Sequence, residues 1–182
     1  EKRTSALIEF GKRGYDESVI PILEKELEES GGRPPIVFLN LAGIHYPVKP
    51  EHVHPPEDTY FNDGVDEEFM RQFPPHVPDR LNRYDDGILY EDKVLGMVVD
   101  VLRRRARPSF MFFMSDHGES PRSDTWRLHI DEDVYELPTV LWLSPSYCML
   151  SRNHVNALKR AASKRMQSDE MTRGLLDLGF IQ

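Results

Sequence analysis

Three short, almost wholly apolar runs constrain the fold of this 182-residue chain more than any other feature. They are residues 36–41, 110–114 and 139–143. Runs of five or six apolar residues without alternation are typical of strands covered on both faces. Because these runs alternate with helical patterns along the chain, we predict an α/β fold in which helices and sheet form a layered α/β/α sandwich.

Helical periodicity is found before, between and after the runs. Residues 18–29 are predicted as a helix whose core positions are Val19, Ile20, Leu23 and Leu27, and Gly31-Gly32 should end it. A longer helix is predicted over 82–105, and two closing helices near 152–166 and 169–178. The core positions predicted for the longer helix are Ile88, Leu95, Val98, Val99 and Leu102.

The chain divides into a short N-terminal segment and one domain. Residues 1–14 carry scattered charge and are predicted to be poorly anchored, whereas residues 15–182 form the domain. A proline-rich stretch over 46–80 is predicted as a long loop, and such loops are usually functional or disordered. Three histidines in it, His52, His54 and His76, are expected to be exposed, and Trp142 in the third apolar run is expected to be core.

Composition excludes several classes of protein. The net charge of −8 argues against a nucleic-acid partner, because phosphate binding needs a concentrated basic face. No apolar run approaches the ~20 residues that span a bilayer, so we expect this chain to be soluble and any membrane anchor to lie upstream. The single cysteine, Cys148, cannot form a disulfide within the chain.

Polar residues with metal-binding chemistry follow the first two apolar runs. His45 comes after the first run, and Asp116 with His117 comes directly after the second. His129 lies in the next loop, ten residues before the third run. Ligand-binding groups gather at the carboxyl ends of strands in open α/β sheets, so these positions are where a site would form.

Carboxylate and neutral imidazole are good zinc ligands, and a tetrahedral site needs about four of them. The candidates are Asp116, His117, His45 and His129. The alternative for each histidine is a hydrogen-bonded structural role in a turn. Spacing alone leaves both interpretations open.

These segments resemble the motifs of the phosphoethanolamine transferase family, within the alkaline phosphatase and sulfatase superfamily. Residues 115–120 read SDHGES, and residues 43–47 match that family's G-x-H-x-P element. Residues 82–92 resemble its N-x-Y-D-N-x-x-x-Y-x-D helix start, which is fairly specific. Further similar segments are Tyr15-Asp16-Glu17, Leu128-His129 with residues 137–142, and residues 168–179.

The resemblance implies an α/β/α sandwich of the alkaline phosphatase and sulfatase type, present in part. It also implies zinc-dependent transfer of phosphoethanolamine from phosphatidylethanolamine to a lipopolysaccharide or other lipid-linked glycan acceptor. By position, Asp116 and His117 would bind zinc, and His45 and His129 would contact the phosphoryl group, bind a second zinc or protonate the leaving oxygen. Glu119 would either orient His117 or cap the loop.

The resemblance further implies that this chain is a fragment. The family's threonine nucleophile and an acidic zinc ligand lie upstream of the matched segments, and Thr4 lacks the expected context. We therefore expect the isolated chain to be inactive. The full-length parent would be an inner-membrane enzyme with a periplasm-facing catalytic domain, attached through a missing N-terminal domain.

Two other functions remain open. One is a sulfatase-like or phosphodiester hydrolase of the same superfamily, in which water takes the covalent group. The other is a non-catalytic binding module that retains the fold. The absent nucleophile favours the binding module, whereas four retained ligand-type residues count against it.

Overall fold

All three predicted strands are present in the computed structural model, together with a strand that the sequence did not predict. The structure describes residues 5–9, 15–44, 54–61, 68, 71, 74, 77–118, 132–162 and 164–179. These residues belong to two structural units. One unit comprises Glu1–Val101 and Ser115–Pro138, and the other comprises Leu102–Met114 and Thr139–Gln182.

The first unit contains a parallel pair of strands. Strand β1 (Ser5–Glu9) pairs with β2 (Ile36–Asn40), and Ser5 lies opposite Ile36. β1 falls inside the segment predicted to be poorly anchored, where charged neighbours obscure its apolar centre. The boundary at residue 14 itself stays a prediction.

Helix α1 (Val19–Glu29) connects the two strands and confirms the predicted stripe. Val19, Ile20, Leu23 and Leu27 are all buried. Pro21 is tolerated because it lies in the first turn, where a backbone N–H has no helical partner. The helix ends at Glu29, and Gly31 and Gly32 follow its C-cap Ser30 with φ of +60° and +91°. Glycine adopts this left-handed conformation without steric penalty, as the sequence indicated.

Helix α2 (Val77–Arg104) begins five residues before the predicted start at Asn82. Pro78 does not prevent this, because proline fits the first turn of a helix. Val98 and Val99 are buried as predicted, whereas Ile88 is 46% exposed and was wrongly assigned to the core. The buried side instead runs through Tyr90, Val94 and Val98, a four-residue repeat that follows the helical period.

The second unit contains an antiparallel pair of strands. β3 (Phe110–Met114) pairs with β4 (Thr139–Leu143), with Phe110 opposite Leu143. Helices α3 (Pro145–Leu150), α4 (Arg152–Ala161) and α5 (Ser168–Leu178) follow, so the two predicted closing helices are preceded by a third. The Tyr147 hydroxyl donates to the Leu178 carbonyl at 2.9 Å and ties α3 to the end of α5.

The strands are less covered than their apolar sequences predicted. In β2, Ile36 is 47% exposed and Phe38 is 58% exposed, and in β4 Val140 is 43% exposed. Trp142 is half-buried rather than core, with the Arg103 guanidinium 5.8 Å from its ring centre. The reason is that each pair of strands has a face that the described part of the chain leaves open. Within that part, no helix is both long and apolar enough to cross a bilayer.

Candidate functional site

The Asp116–His117 segment follows β3 directly and is held by two local hydrogen bonds and one to a residue farther along the chain. The Ser115 hydroxyl donates to the His117 carbonyl at 2.6 Å, and the His117 N–H donates to Asp116 Oδ1 at 3.0 Å. The Gly118 N–H donates to the Val134 carbonyl at 2.8 Å. These bonds fix the turn that carries the Asp116 and His117 side chains.

The two side chains present one oxygen and one nitrogen close together. Asp116 Oδ2 lies 3.8 Å from His117 Nε2, and the Asp116 side chain is 89% exposed while that of His117 is 30% exposed. His117 Nδ1 lies 2.9 Å from the Gly118 carbonyl oxygen. Because a carbonyl can only accept, Nδ1 carries the proton in the neutral ring and Nε2 keeps its lone pair.

This arrangement fits two ligands of a zinc ion. Metal-binding histidines almost always donate their second ring N–H to a carboxylate, a carbonyl or water, as His117 does here. In tetrahedral zinc sites with bonds of about 2.1 Å, neighbouring ligand atoms lie ~3.4 Å apart. The observed 3.8 Å is a few tenths of an ångström longer. A small side-chain rotation would close that difference.

The rest of a metal site is not assembled by the described residues. Among them, no group of three or more histidine, cysteine, aspartate or glutamate side chains is placed to hold a metal. His45, His129 and Glu119 lie outside the described residues, as do His52 and His76, so their predicted roles and exposure stay predictions. Asp116 and His117 therefore supply two of the roughly four ligands that zinc needs.

A buried carboxylate holds the chain that leads to His45. Asp16 is only 4% exposed, and its two oxygens accept the N–H groups of Ala42 at 2.8 Å and Gly43 at 2.7 Å. The sequence placed Asp16 in a family-like motif but gave it no role. An acidic residue just before the apolar stripe of α1 is a signal that could have found it, because a carboxylate buried there needs hydrogen-bond partners.

A second acidic side chain lies against the same turn. Gly43 has φ of +48°, and a Cβ added there would lie 3.3 Å from each carboxylate oxygen of Glu91 on α2. Burial, with a smaller contribution from the negative charge of Asp16, raises the pKa of Glu91 to about 7. No local pattern marks Glu91, because its environment depends on packing between residues 48 positions apart.

Residues 54–61 are anchored to α2 by carboxylates. Asp86 Oδ1 accepts the N–H groups of Tyr60 at 2.7 Å and Phe61 at 3.0 Å. The Lys93 ammonium donates to Asp58 Oδ2 at 2.7 Å, and this bond raises the pKa of Lys93. Asp58 and Asp86 are 4% and 2% exposed, so both act inside the protein.

The prediction that His54 is exposed was wrong. His54 is 4% exposed, and its ring centre lies 6.5 Å from that of the buried Tyr90. Its Nδ1 lies 2.9 Å from the Pro55 carbonyl oxygen. The surrounding prolines suggested an exposed loop, but packing against α2 buries the ring. His154, expected at the surface near the start of a helix, is exposed on α4.

Comparison with known proteins places the chain in a family. The family model described as Sulfatase matches residues 2–179. This chain belongs to the sulfatase family. Among curated relatives of this sulfatase-family chain, phosphoethanolamine transferase EptA of Helicobacter pylori is 26% identical over 149 residues. That match covers 73% of this chain and 26% of the relative.

Solved structures extend the similarity to the fold. An integral membrane lipooligosaccharide phosphoethanolamine transferase A from Neisseria meningitidis matches with a TM-score of 0.65 at 20% identity, over 83% of this chain and 29% of that chain. The C-terminal periplasmic domain of EptC from Escherichia coli, solved in complex with zinc, matches with a TM-score of 0.62 at 21% identity. That match covers 76% of this chain and 40% of the domain.

The comparisons confirm the predicted fold and resemblance. The sulfatase-family chain has the alkaline phosphatase and sulfatase type of α/β fold in part, and its relatives include phosphoethanolamine transferases. It spans about a quarter of the length of the curated relatives it matches.

Proposed function

We propose that this chain carries metal-binding residues of a zinc-dependent transferase that moves phosphoethanolamine from phosphatidylethanolamine to a lipopolysaccharide or other glycan acceptor. The observation that carries the proposal is the Asp116–His117 pair at the end of β3, with Oδ2 and Nε2 3.8 Å apart on side chains that are 89% and 30% exposed. The transferases among its relatives and the zinc complex of the structurally similar EptC domain support the same chemistry.

Each of the four candidate residues would have a distinct role. Asp116 supplies an anionic oxygen ligand, and His117 supplies a neutral nitrogen whose orientation is set by its bond to the Gly118 carbonyl. When bound, zinc supplies Lewis-acid chemistry that neutralises developing charge on phosphoryl oxygens. His45 and His129 would contact the phosphoryl group, bind a second zinc or protonate the leaving oxygen.

The overall transfer is balanced without an added oxidant or reductant. The bond between phosphorus and the diacylglycerol oxygen breaks, and a bond between phosphorus and an acceptor hydroxyl oxygen forms. The acceptor proton ends on the departing diacylglycerol. A covalent nucleophile is needed for the two-step route that the resemblance implies, and no threonine in this sequence matches it. We therefore expect the isolated chain not to turn over substrate.

We also propose that the whole protein resides in the inner membrane with its catalytic domain facing the periplasm. The support is that one structurally similar protein is described as an integral membrane protein and another as a periplasmic domain.

Deleting the whole gene that encodes this chain from its source organism, with complementation by the same whole gene, tests the transferase proposal. We expect mass spectrometry of the envelope lipids and glycans to show loss of phosphoethanolamine-bearing species. The wild-type gene should restore them, whereas genes carrying Asp116→Ala or His117→Ala should not. His154→Ala, at an exposed histidine on α4, is the matched control and should restore them fully.

The same experiment separates the alternatives. The match to the sulfatase family favours a hydrolase as the second candidate. For a hydrolase, deletion would leave phosphoethanolamine on glycans unchanged and would raise the level of an uncleaved ester. For a binding module, Asp116→Ala and His117→Ala would complement as well as the wild type, and the proposal would be wrong.

A further inference from the structure

The turn after β2 is organised around one buried side chain. Ala42 and Gly43 direct consecutive N–H groups at the Asp16 carboxylate, one to each oxygen, at 2.8 and 2.7 Å. Asp16 is 4% exposed and lies 26 and 27 residues before its partners. Hydrogen bonds to a charged acceptor are stronger than neutral ones, and the strength increases where water is excluded.

The backbone at Gly43 sets the direction in which the chain continues beyond these two N–H groups. Its φ of +48° lies in the left-handed region, which glycine adopts without steric penalty. A side chain at this position would also lie 3.3 Å from both oxygens of Glu91. The turn therefore needs glycine for its conformation and for the close approach of α2.

We propose that Asp16 is a positioning residue that sets how the chain leaves β2, so that replacing it alters the NMR signals of His45, two residues beyond Gly43 in the sequence. This inference rests on the proposed function only for the role of His45. Asp16 itself lies in a 3-10 turn, Asp16–Ser18, that is continuous with α1. The Asp16 carboxylate thus joins the start of α1 to the turn after β2.

Two features make Asp16 suited to this role. Its carboxylate is acceptor-only when ionised, so it matches two donors without an unsatisfied group of its own. It is also buried, and water cannot readily replace it if it is removed. An asparagine would keep one acceptor oxygen but would turn an N–H₂ group towards one of the two backbone donors.

The experiment uses the full chain and heteronuclear NMR. In the wild type, we expect scalar couplings across the hydrogen bonds from the Ala42 and Gly43 amides to the Asp16 carboxylate carbon. In Asp16→Asn, we expect amide exchange at Ala42 and Gly43 to be about 10- to 100-fold faster. The His45 ring resonances should shift, while those of His154 should not.

Asp177→Asn, the same chemical change at an exposed residue of α5, is the matched control and should change none of these signals. Protection of the β2 amides checks that Asp16→Asn remains folded. Absent couplings in the wild type would overturn the inference without any variant. Unchanged His45 signals in a folded Asp16→Asn would overturn it as well.

A third readout separates this inference from the proposed function. Asp16→Asn should complement the gene deletion at least about tenfold less well than Asp177→Asn. If the wild-type gene has no effect on phosphoethanolamine, the proposed function fails, but the couplings and the His45 shifts still test the positioning role. Equal complementation by both variants would contradict it.

Discussion

Two acidic residues around one glycine show how burial changes their chemistry. The Asp16 carboxylate accepts two N–H groups. The Glu91 side chain instead lies beside the Cα of Gly43, where the negative charge of Asp16 acts on it. A carboxylate loses solvation when it is buried, and without compensating donors its neutral form is favoured. The Asp16 carboxylate thus holds the turn by hydrogen bonds, and the Glu91 side chain limits the space beside Gly43.

Gly43→Ala should destabilise the protein by about 1–2 kcal/mol, because alanine is strained at positive φ. The added methyl group would also lie 3.3 Å from the Glu91 oxygens. Gly96→Ala is the matched control: it lies on α2 with nothing within 4 Å of an added Cβ, and it should stabilise by about 1 kcal/mol. Urea unfolding measures both. Shifts of the same sign would contradict the conformational argument.

Glu91→Gln should stabilise the protein in a pH-dependent way. Because the folded pKa is raised from 4.5 to about 7, the unfolded chain loses this proton more readily, and wild-type stability falls as pH rises between those values. Glutamine removes that penalty. We expect a gain on the order of 1–2 kcal/mol at pH 8, after allowance for partial exposure, and little gain near pH 4.

Urea unfolding of both proteins at several pH values measures the difference in unfolding free energy. Glu28→Gln, at an exposed position of α1, is the control and should show no such trend. A gain that is constant across pH would mean that folding does not raise the pKa of Glu91.

At the scale of elements, α2 anchors residues 58–61 and Glu17. Asp86 accepts two N–H groups from residues 60 and 61, Lys93 pairs with Asp58, and the Tyr90 hydroxyl accepts the Glu17 N–H at 3.4 Å. Each bond joins residues at least 25 positions apart. The helix therefore acts as a frame to which separate loop segments are attached.

Asp86→Ala should release residues 54–61 from this frame. Its loss leaves two N–H groups without their acceptor, which costs about 1–3 kcal/mol. Tyr60 and Phe61 are chymotrypsin sites, so limited proteolysis followed by mass spectrometry should show faster cleavage there. Asp92→Ala, at an exposed position of the same helix, is the control. Equal cleavage rates in both variants would contradict the anchoring role.

At the scale of the whole molecule, the described residues supply only part of a metal site. Asp116 and His117 lie in the unit that also contains the Asp16 turn, and β3, which leads to them, lies in the other unit. Zinc affinity increases with the number of protein ligands, and two ligands leave several coordination positions to water. The proposed activity therefore depends on ligands beyond this pair.

Zinc should bind the isolated chain weakly, in the micromolar range or above, as measured by isothermal titration calorimetry. Asp116→Ala and His117→Ala should each abolish the specific heat of binding, because a single remaining ligand cannot retain the ion. His154→Ala should leave it unchanged. Nanomolar affinity of the wild-type chain would show that a complete site is present and would contradict this expectation.

Much of the secondary structure was predictable because its signals are local. The apolar runs identified β2, β3 and β4, and the stripe Val19–Leu27 with its glycine stop identified α1. Strand β1 was missed because it is short and lies among charged residues. The start of α2 was missed because a proline-rich sequence gives the same pattern in a loop and in a first helical turn.

The sequence by itself determined the α/β fold class, the family resemblance and the position of Asp116 and His117 directly after a strand. Only the tertiary structure decided that His54 is buried, that Ile88 and Trp142 are not core, and that Asp16 and Glu91 meet at Gly43. The physical reason is the separation in sequence between the residues that determine each property. Periodicity, helix ends and strand ends depend on neighbouring residues, whereas burial and paired carboxylates depend on packing between segments far apart in the chain.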